Sequence, residues 1–326
     1  MRPPHPCTAN ICFLAEDANE LIRLIGDEVG EGEAELIHEY YKLGIPPVTS
    51  RDALSAMFGY NPGFVWSLLN RPRKHYRTFE IPKGQEVRTI TAPKVALKII
   101  QKWLSVHFAS VWTARPEVCG FVPGRSHIQA ASRHVGCHWV ASVDIENFFP
   151  SVPHHRVVDA LRLLGYRDPF SLEALTDLTC FRGGLAQGAP SSPVLSNIAL
   201  STLDEALAVY ASDRGFVYSR YADDIVLSGK GDPPPDVHPD ISQMVRDDGW
   251  NISERKSRVD KLPGRLKVHG LLVSGERVRL TKGYRNKIRA FRHLINNGGV
   301  KQKDLARIRG HLAYAEEVDR FAAGKI

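Results

Sequence analysis

The strongest constraint on this chain is where it puts three of its aspartates. Asp144 closes the apolar run Trp139-Val-Ala-Ser-Val-Asp-Ile, which reads as a buried strand, a setting from which a carboxylate is ordinarily excluded. Asp223 and Asp224 are adjacent, at the tip of a run from Phe216 to Ser228 that reads as a hairpin with Ala222-Asp223 at its turn. Neighbouring carboxylates repel unless a cation neutralises them. Three carboxylates converging from a strand end and a hairpin tip suit two magnesium ions, hard cations that take oxygen ligands and substrate phosphates. Two such ions about 3.5–4 Å apart stabilise both the attacking and the leaving oxygen of an in-line phosphoryl transfer. Taken alone, Tyr221-Ala-Asp-Asp also describes an ordinary solvated turn.

The remaining pattern mixes strands and helices without a βαβα rhythm, which predicts α+β layering with helices on an antiparallel sheet. Glu16 to Tyr41 reads as one or two helices, and residues 50–70 as helical. Two strands from Tyr76 and Glu86 are joined by a turn at Lys83-Gly84. The spacing predicts a helix from Lys94 to Trp112 with Leu97, Ile100, Leu104, Phe108 and Val111 inward and Lys94, Lys98 and Lys102 on another face. Residues 154–164 read as a helix, Ser192 to Tyr210 as one long helix and Leu266 to Val273 as a strand. Two basic helices follow, near 282–296 and 301–322.

Charge is unevenly placed. The formal net charge is +7, yet residues 265–326 hold 15 Lys or Arg against 5 Asp or Glu. A tail this basic on a near-neutral body points to a polyanion, most simply nucleic acid; the alternative is a well-solvated surface helix. The cysteines Cys7, Cys12, Cys119, Cys137 and Cys180 are odd in number and scattered, and read as reduced thiols. His134, Cys137 and His138 lie close together but lack a fourth zinc ligand. With neither a leader nor a bilayer-length apolar run, the chain is expected to be soluble and cytoplasmic, with no membrane partner.

Six blocks between Tyr76 and Val273 follow an order that resembles the reverse transcriptases. They are Tyr76-Arg-Thr-Phe-Glu-Ile-Pro-Lys with Val87-Arg-Thr-Ile-Thr-Ala-Pro, Ser142-Val-Asp-Ile-Glu-Asn-Phe-Phe-Pro-Ser, Gln187-Gly-Ala-Pro-Ser-Ser-Pro, Tyr221-Ala-Asp-Asp, Gly249-Trp-Asn-Ile-Ser-Glu-Arg-Lys and Val268-His-Gly-Leu. Gly120-Phe-Val-Pro-Gly-Arg-Ser lies between the first two. The resemblance implies a right-hand polymerase with fingers, an antiparallel palm and a helical thumb. It implies an N-terminal helical extension over 1–45, fingers over 46–135, a palm over 136–265 and a basic, RNA-binding thumb over 266–326. The implied reaction is attack of a primer hydroxyl on the α-phosphate of a dNTP, releasing pyrophosphate. Asp144, Asp223, Asp224 and the Ile145 carbonyl would hold two Mg2+ ions, with Lys256 near the triphosphate. Arg88 would contact the incoming nucleotide, and Gln187 would lie beside the base pair and sugar. One of Phe148 and Phe149 is expected in the core; by family position Phe149 is the ring beneath the sugar that excludes a 2′-hydroxyl.

Several features resemble the bacterial retron type, including the Asn147-Phe-Phe-Pro-Ser run and the lack of an endonuclease, RNase H or maturase region after the thumb. Two positions depart from it: Ala130 stands where retron enzymes carry Asn before His134, and His269 stands for Thr in their Val-Thr-Gly. Those departures leave open a group II intron-like, diversity-generating or abortive-infection enzyme; separately, the basic tail would suit a non-catalytic RNA-binding protein on a polymerase fold, against which stand the three retained carboxylates beside Lys256 and Gln187. The retron resemblance implies a structured non-coding RNA as template and primer, a branched RNA–DNA product, and an effector protein in anti-phage defence. Tyr284, Arg285, Arg289 and Arg292 are the candidate RNA contacts, the three arginines sharing one helix face.

Overall fold

The computed structural model describes residues 9–83 and 86–324. Gly84 of the expected turn, Cys7 and the last residues of the basic tail lie outside them. The chain gathers into two compact units, each made of two stretches: Met1–Ala114 with Asn147–Thr202, and Arg115–Glu146 with Leu203–Ile326.

The first unit is mainly helical. Residues 50–70, expected to be helical, form two helices, Arg51–Phe58 and Pro62–Asn70. Gly59 ends the first in a left-handed conformation at φ 62°, and Asn61-Pro62 restarts the chain, Asn61 capping Gly63 N–H. Ser50 and Asp168 cap their helices in the same way, through Ala53 and Ser171 N–H. The helix Val95–Val111 buries Leu97, Ile100, Leu104 and Phe108 and leaves Lys94, Lys98 and Lys102 exposed. Its buried Gln101 donates to both Tyr76 Oη and the Leu178 carbonyl at 2.7 Å, tying hairpin and helices together. The helix Pro169–Thr179, which the sequence pattern did not single out, buries Leu172, Leu175 and Leu178. The antiparallel strands Tyr76–Lys83 and Glu86–Pro93 pair along their whole length.

The second unit is built on a four-stranded sheet in the order Val217–Tyr221, Asp224–Gly229, Trp139–Asp144, Arg258–Lys261, every pair antiparallel. The last strand was not expected, because Arg258-Val-Asp-Lys is an exposed, charged edge without an apolar alternation. Gly229 lies under the Trp139 indole, where an added Cβ would come within 2.6 Å of the ring.

Two readings change. Ser192 to Tyr210 is not one helix: Ser192–Ala199 ends at Leu200 and a new helix runs from Ser201 to Asp213. Leu266 to Val273 is not one strand. Lys267–Val268 and Leu271–Leu272 pair with each other around His269-Gly270. Both turn residues have positive φ, 47° and 83°, which makes this the tight two-residue reversal whose twist suits a hairpin. Glycine adopts that conformation freely and histidine more readily than most residues. The strand Arg279–Leu280 adds to this small sheet, and the helices Lys282–Asn296 and Gln302–Ala322 follow. Val268, Leu271, Val278, Leu280, Ile288, Ala315 and Val318 share a core with Ile128, Cys137 and Val140. The four described cysteines are free and buried. Among the described residues no helix is long and apolar enough to cross a membrane.

Candidate active site

The register of the second unit's sheet puts Asp144 directly opposite Asp224. Like charges facing each other across an antiparallel pair destabilise it, so both carboxylates need partners. Asp144 is buried, and a 2.5 Å hydrogen bond from Lys256 Nζ reaches its Oδ1. Burial pushes the Asp144 carboxyl up to about 6, Lys256 opposes that rise, and Asp223 and Asp224 add to it. Burial would also raise Asp224. Hydrogen bonds from His269 and Asp144 and the His269 and Lys256 charges more than offset it and hold that carboxyl below its usual value. His269 Nδ1 lies 3.4 Å from Asp224 Oδ2. The carboxylates hold the Lys256 ammonium above its usual pKa, against the effect of its own desolvation.

Backbone bonds fix this end of the sheet. Ile145 N–H donates to the Asp223 carbonyl at 3.2 Å, Ser253 N–H to the Asp144 carbonyl at 2.8 Å and Glu146 N–H to the Asn251 carbonyl at 2.9 Å. The segment from Trp250 to Ser257 is thereby stitched along Asp144-Ile145-Glu146, which delivers Lys256 to Asp144. The hairpin tip turns at Ala222, whose φ of 59° is left-handed. Gly120 explains the otherwise unassigned Gly-Phe-Val-Pro-Gly-Arg-Ser block: an added Cβ would come within 2.2 Å of Ala222 N, so only glycine lets the tip pack there.

Sequence reasoning missed the support beneath the tip. Arg220 is fully buried, and its Nε and Nη2 donate to Asp204 Oδ1 and Oδ2 at 2.6 Å each. Tyr218 Oη donates to the same carboxylate at 2.6 Å, and Arg220 Nη1 donates to the Ala222 carbonyl at 3.0 Å. A bidentate guanidinium–carboxylate pair thus bolts the hairpin to the helix Ser201–Asp213. The visible signal was an arginine inside a strand; its partner, 16 residues earlier, was not legible. His134 is buried too, with Nδ1 and Nε2 each 2.7 Å from a hydroxyl, Ser228 and Ser219.

The donor set suits a divalent ion: three carboxylates at one sheet end, one of them buried and raised by that burial. Among the described residues no three ligand-type side chains are already gathered around a point. Lys256 and His269 instead occupy Asp144 and Asp224.

The other nucleotide-site candidates belong to the first unit. Thr91 N–H donates to the Gln187 carbonyl at 2.8 Å. With its amide oriented to satisfy both neighbours, Gln187 donates to the Thr89 carbonyl at 3.0 Å and accepts from Arg88 Nε at 3.2 Å. Arg88 and Gln187 are therefore brought together. Gly188 permits this, since its φ is 127° and a Cβ would lie 3.1 Å from the Thr91 carbonyl oxygen. Phe148 is buried and Phe149 half-buried, with ring centroids 5.2 Å apart.

On the C-terminal helices, Arg285, Arg289 and Arg292 are exposed. Tyr284 turns inward instead, donating to or accepting from His311 Nδ1 at 2.7 Å and packing edge-on against Tyr314.

The family model for reverse transcriptase (RNA-dependent DNA polymerase) matches residues 81–267. The chain belongs to the reverse transcriptase family. The Retron Ec86 reverse transcriptase of Escherichia coli is 31% identical over 85% of this chain and 87% of its own length. The Retron Mx65 reverse transcriptase of Myxococcus xanthus is 32% identical over 86% of this chain and 72% of its own length. Among solved structures, a telomerase from Candida albicans, in complex with a TWJ fragment of telomeric RNA, matches with a TM-score of 0.45 at 11% identity over 68% of this chain and 49% of that one. Within its family the chain is of retron type, an RNA-directed DNA polymerase of the α+β, right-hand polymerase class. Reverse transcriptases generally work with divalent metal ions.

Proposed function

We propose that this enzyme copies a structured non-coding RNA from its own locus, starting from a 2′-hydroxyl of that RNA, into a branched RNA–DNA product. The complex acts in the cytoplasm in anti-phage defence, together with an effector protein. What carries this reading is the extent of the likeness to retron enzymes, 85% of the chain against 87% of one of them.

At the reaction centre, Asp144, Asp223, Asp224 and the Ile145 carbonyl are the proposed ligands of two Mg2+ ions. When bound, the ions neutralise charge on the attacking and leaving oxygens. The rest of the work is positioning and charge. Lys256, held by Asp144 in the free protein, would lie near the triphosphate oxygens of the incoming nucleotide. Arg88 contacts the incoming nucleotide, and Gln187 lies at its base and sugar. Phe149 is the ring that passes deoxyribose: Phe149→Val is expected to raise ribonucleotide incorporation relative to deoxyribonucleotide about tenfold in single-nucleotide assays, an order set by steric discrimination in an apolar pocket.

The test is to sequence the nucleic acid that co-purifies with the protein. The expected result is one RNA species joined through a 2′-linkage to one complementary DNA. A mixture of cellular RNAs without attached DNA would overturn the proposal.

A further inference from the structure

The C-terminal part of the second unit contains a cavity of about 550 Å³ rimmed by Arg277, Arg279, Arg285, Arg289 and Arg292. All five are exposed. Among the described residues none of them forms an ion pair, although the cavity wall also carries Asp319. Arg277 and Arg279 both line the cavity where the chain enters the strand Arg279–Leu280. Arg285, Arg289 and Arg292 follow at helical spacing on the facing helix. The floor is apolar: Val278, Leu280, Ile288 and Ala315 are all buried beneath the rim. Gly275 leaves room for one of the rim groups, since an added Cβ would come within 2.9 Å of Arg279 Nη2.

Five guanidiniums with only one carboxylate among them repel one another and call for several negative charges in a small space. The backbone of a regular duplex presents phosphates on a convex ridge, which five charges on a flat face would grip as well. A concave site with an apolar floor asks for something more, a flat apolar group set between two phosphates. A nucleotide extruded from a bulge or loop has that form, and guanidinium planes stack on unpaired bases.

We propose that this arginine-rimmed cavity captures an extruded nucleotide of a folded RNA, its base over the Val278–Ile288 floor and its flanking phosphates on the arginines. The proposal rests on the reading of the basic C-terminus as RNA-binding and adds the element that charge alone lacks, a means of choosing among RNAs by where a base is unpaired.

The experiment uses the full chain and three fluorescein-labelled RNA duplexes of the same sequence: fully paired, with one bulged adenosine, and with the bulge made abasic. Affinity is read by anisotropy over a salt series. The bulged duplex is expected to bind about tenfold tighter than the paired one, the order of a stacked base, and the abasic bulge to lose most of that gain. Arg277→Ala with Arg279→Ala is expected to reduce the bulge preference at least threefold. Gly275→Ala, which displaces only the Arg279 guanidinium, should reduce it less. Strong, salt-dependent binding with equal affinity for all three duplexes overturns the capture site and leaves the RNA-binding reading standing. Weak binding of all three, insensitive to salt, overturns both.

Discussion

The second unit has two charged regions that solve opposite problems. At the sheet end, Asp144 is met by Lys256 at 2.5 Å and Asp224 by His269 at 3.4 Å. Around the C-terminal cavity, five guanidiniums stand without an ion-pair partner among the described residues. The difference follows from solvent. Buried Asp144 cannot wait for a ligand, because an unpaired charge in a low-dielectric setting costs several kcal/mol, so the fold supplies Lys256 as its counter-ion, while half-exposed Asp224 has His269 beside it. Exposed arginines are screened by water and salt within about 10 Å, so their charge can stay uncompensated until a polyanion arrives. The sheet end proposed as the reaction centre is therefore given partners by the fold, and the arginine-rimmed cavity is not.

That contrast breaks first at Asp223 and Asp224. Replacing both with Ala is expected to reduce magnesium-dependent dNTP incorporation by roughly a thousandfold or more, since two of the proposed ligands of the stabilising ions are lost. Folding and RNA affinity should persist, because the basic helices are untouched. Continued incorporation by the double variant, scored by primer extension, would show that the carboxylates serve the hairpin alone.

The buried Arg220–Asp204 pair sharpens it further. Arg220→Met strands a buried carboxylate and should cost about 3–5 kcal/mol of stability, measured by chemical unfolding. Adding Asp204→Leu removes the stranded charge and should recover at least half of that loss. The Ala222 carbonyl still lacks its donor, so extension should stay about tenfold down, its order that of one missing hydrogen bond to a charged group. If activity returned along with stability, the pair would be a packing device rather than a support for the catalytic turn.

His134 is a third case, a titratable group kept neutral by enclosure. Burial, with smaller contributions from the His269 and Arg133 charges, lowers its pKa to about 3. In the unfolded chain the ring takes a proton near pH 6.5. Between those values the unfolded state binds more protons, so stability rises with pH across the window. The contribution is complete above about 6.5 and is lost as the pH falls toward 3. At pH 5 the loss attributable to this ring is roughly 2 kcal/mol. Urea unfolding at pH 7.5 and pH 5 should show a smaller acid loss for His134→Gln than for the natural chain. Equal losses would mean that the ring is already solvated when folded.

How much of this was legible follows the same division. The three carboxylates, the hairpin and the two basic helices were visible because each is a local pattern: an apolar run ending in Asp, a paired Asp at a turn, helical spacing of arginines. Four features were not. The break at Leu200 lies in sequence that favours helix on both sides. The reversal at His269-Gly270 was hidden because Leu266 to Val273 has the apolar pattern of one strand, and only the dipeptide hints at a turn. The Asp204–Arg220 bolt and the placing of Arg277 and Arg279 opposite Arg285 depend on pairings between elements, which no local pattern encodes.

The smallest effect concerns the unpartnered side of the comparison. If Arg285, Arg289 and Arg292 grip phosphates, removing each of them should flatten the dependence of log affinity on log salt by about 0.9 on a duplex. The triple Ala variant should therefore lower the slope by roughly 2 to 3, with its largest fall in affinity at low salt. Tyr284 is not part of this expectation, because its hydroxyl and ring are engaged by His311 and Tyr314. Substituting it should loosen the two helices from each other and leave the salt slope unchanged. The triple variant also distinguishes grip from choice. A specific fit predicts a greater loss for the RNA that co-purifies than for an unrelated duplex at the same salt, because only the cognate fold brings all three arginines to phosphates at once. Equal losses would mean that the exposed charge of this region attracts any nucleic acid, and would count against the cavity that these arginines rim as the means of selection.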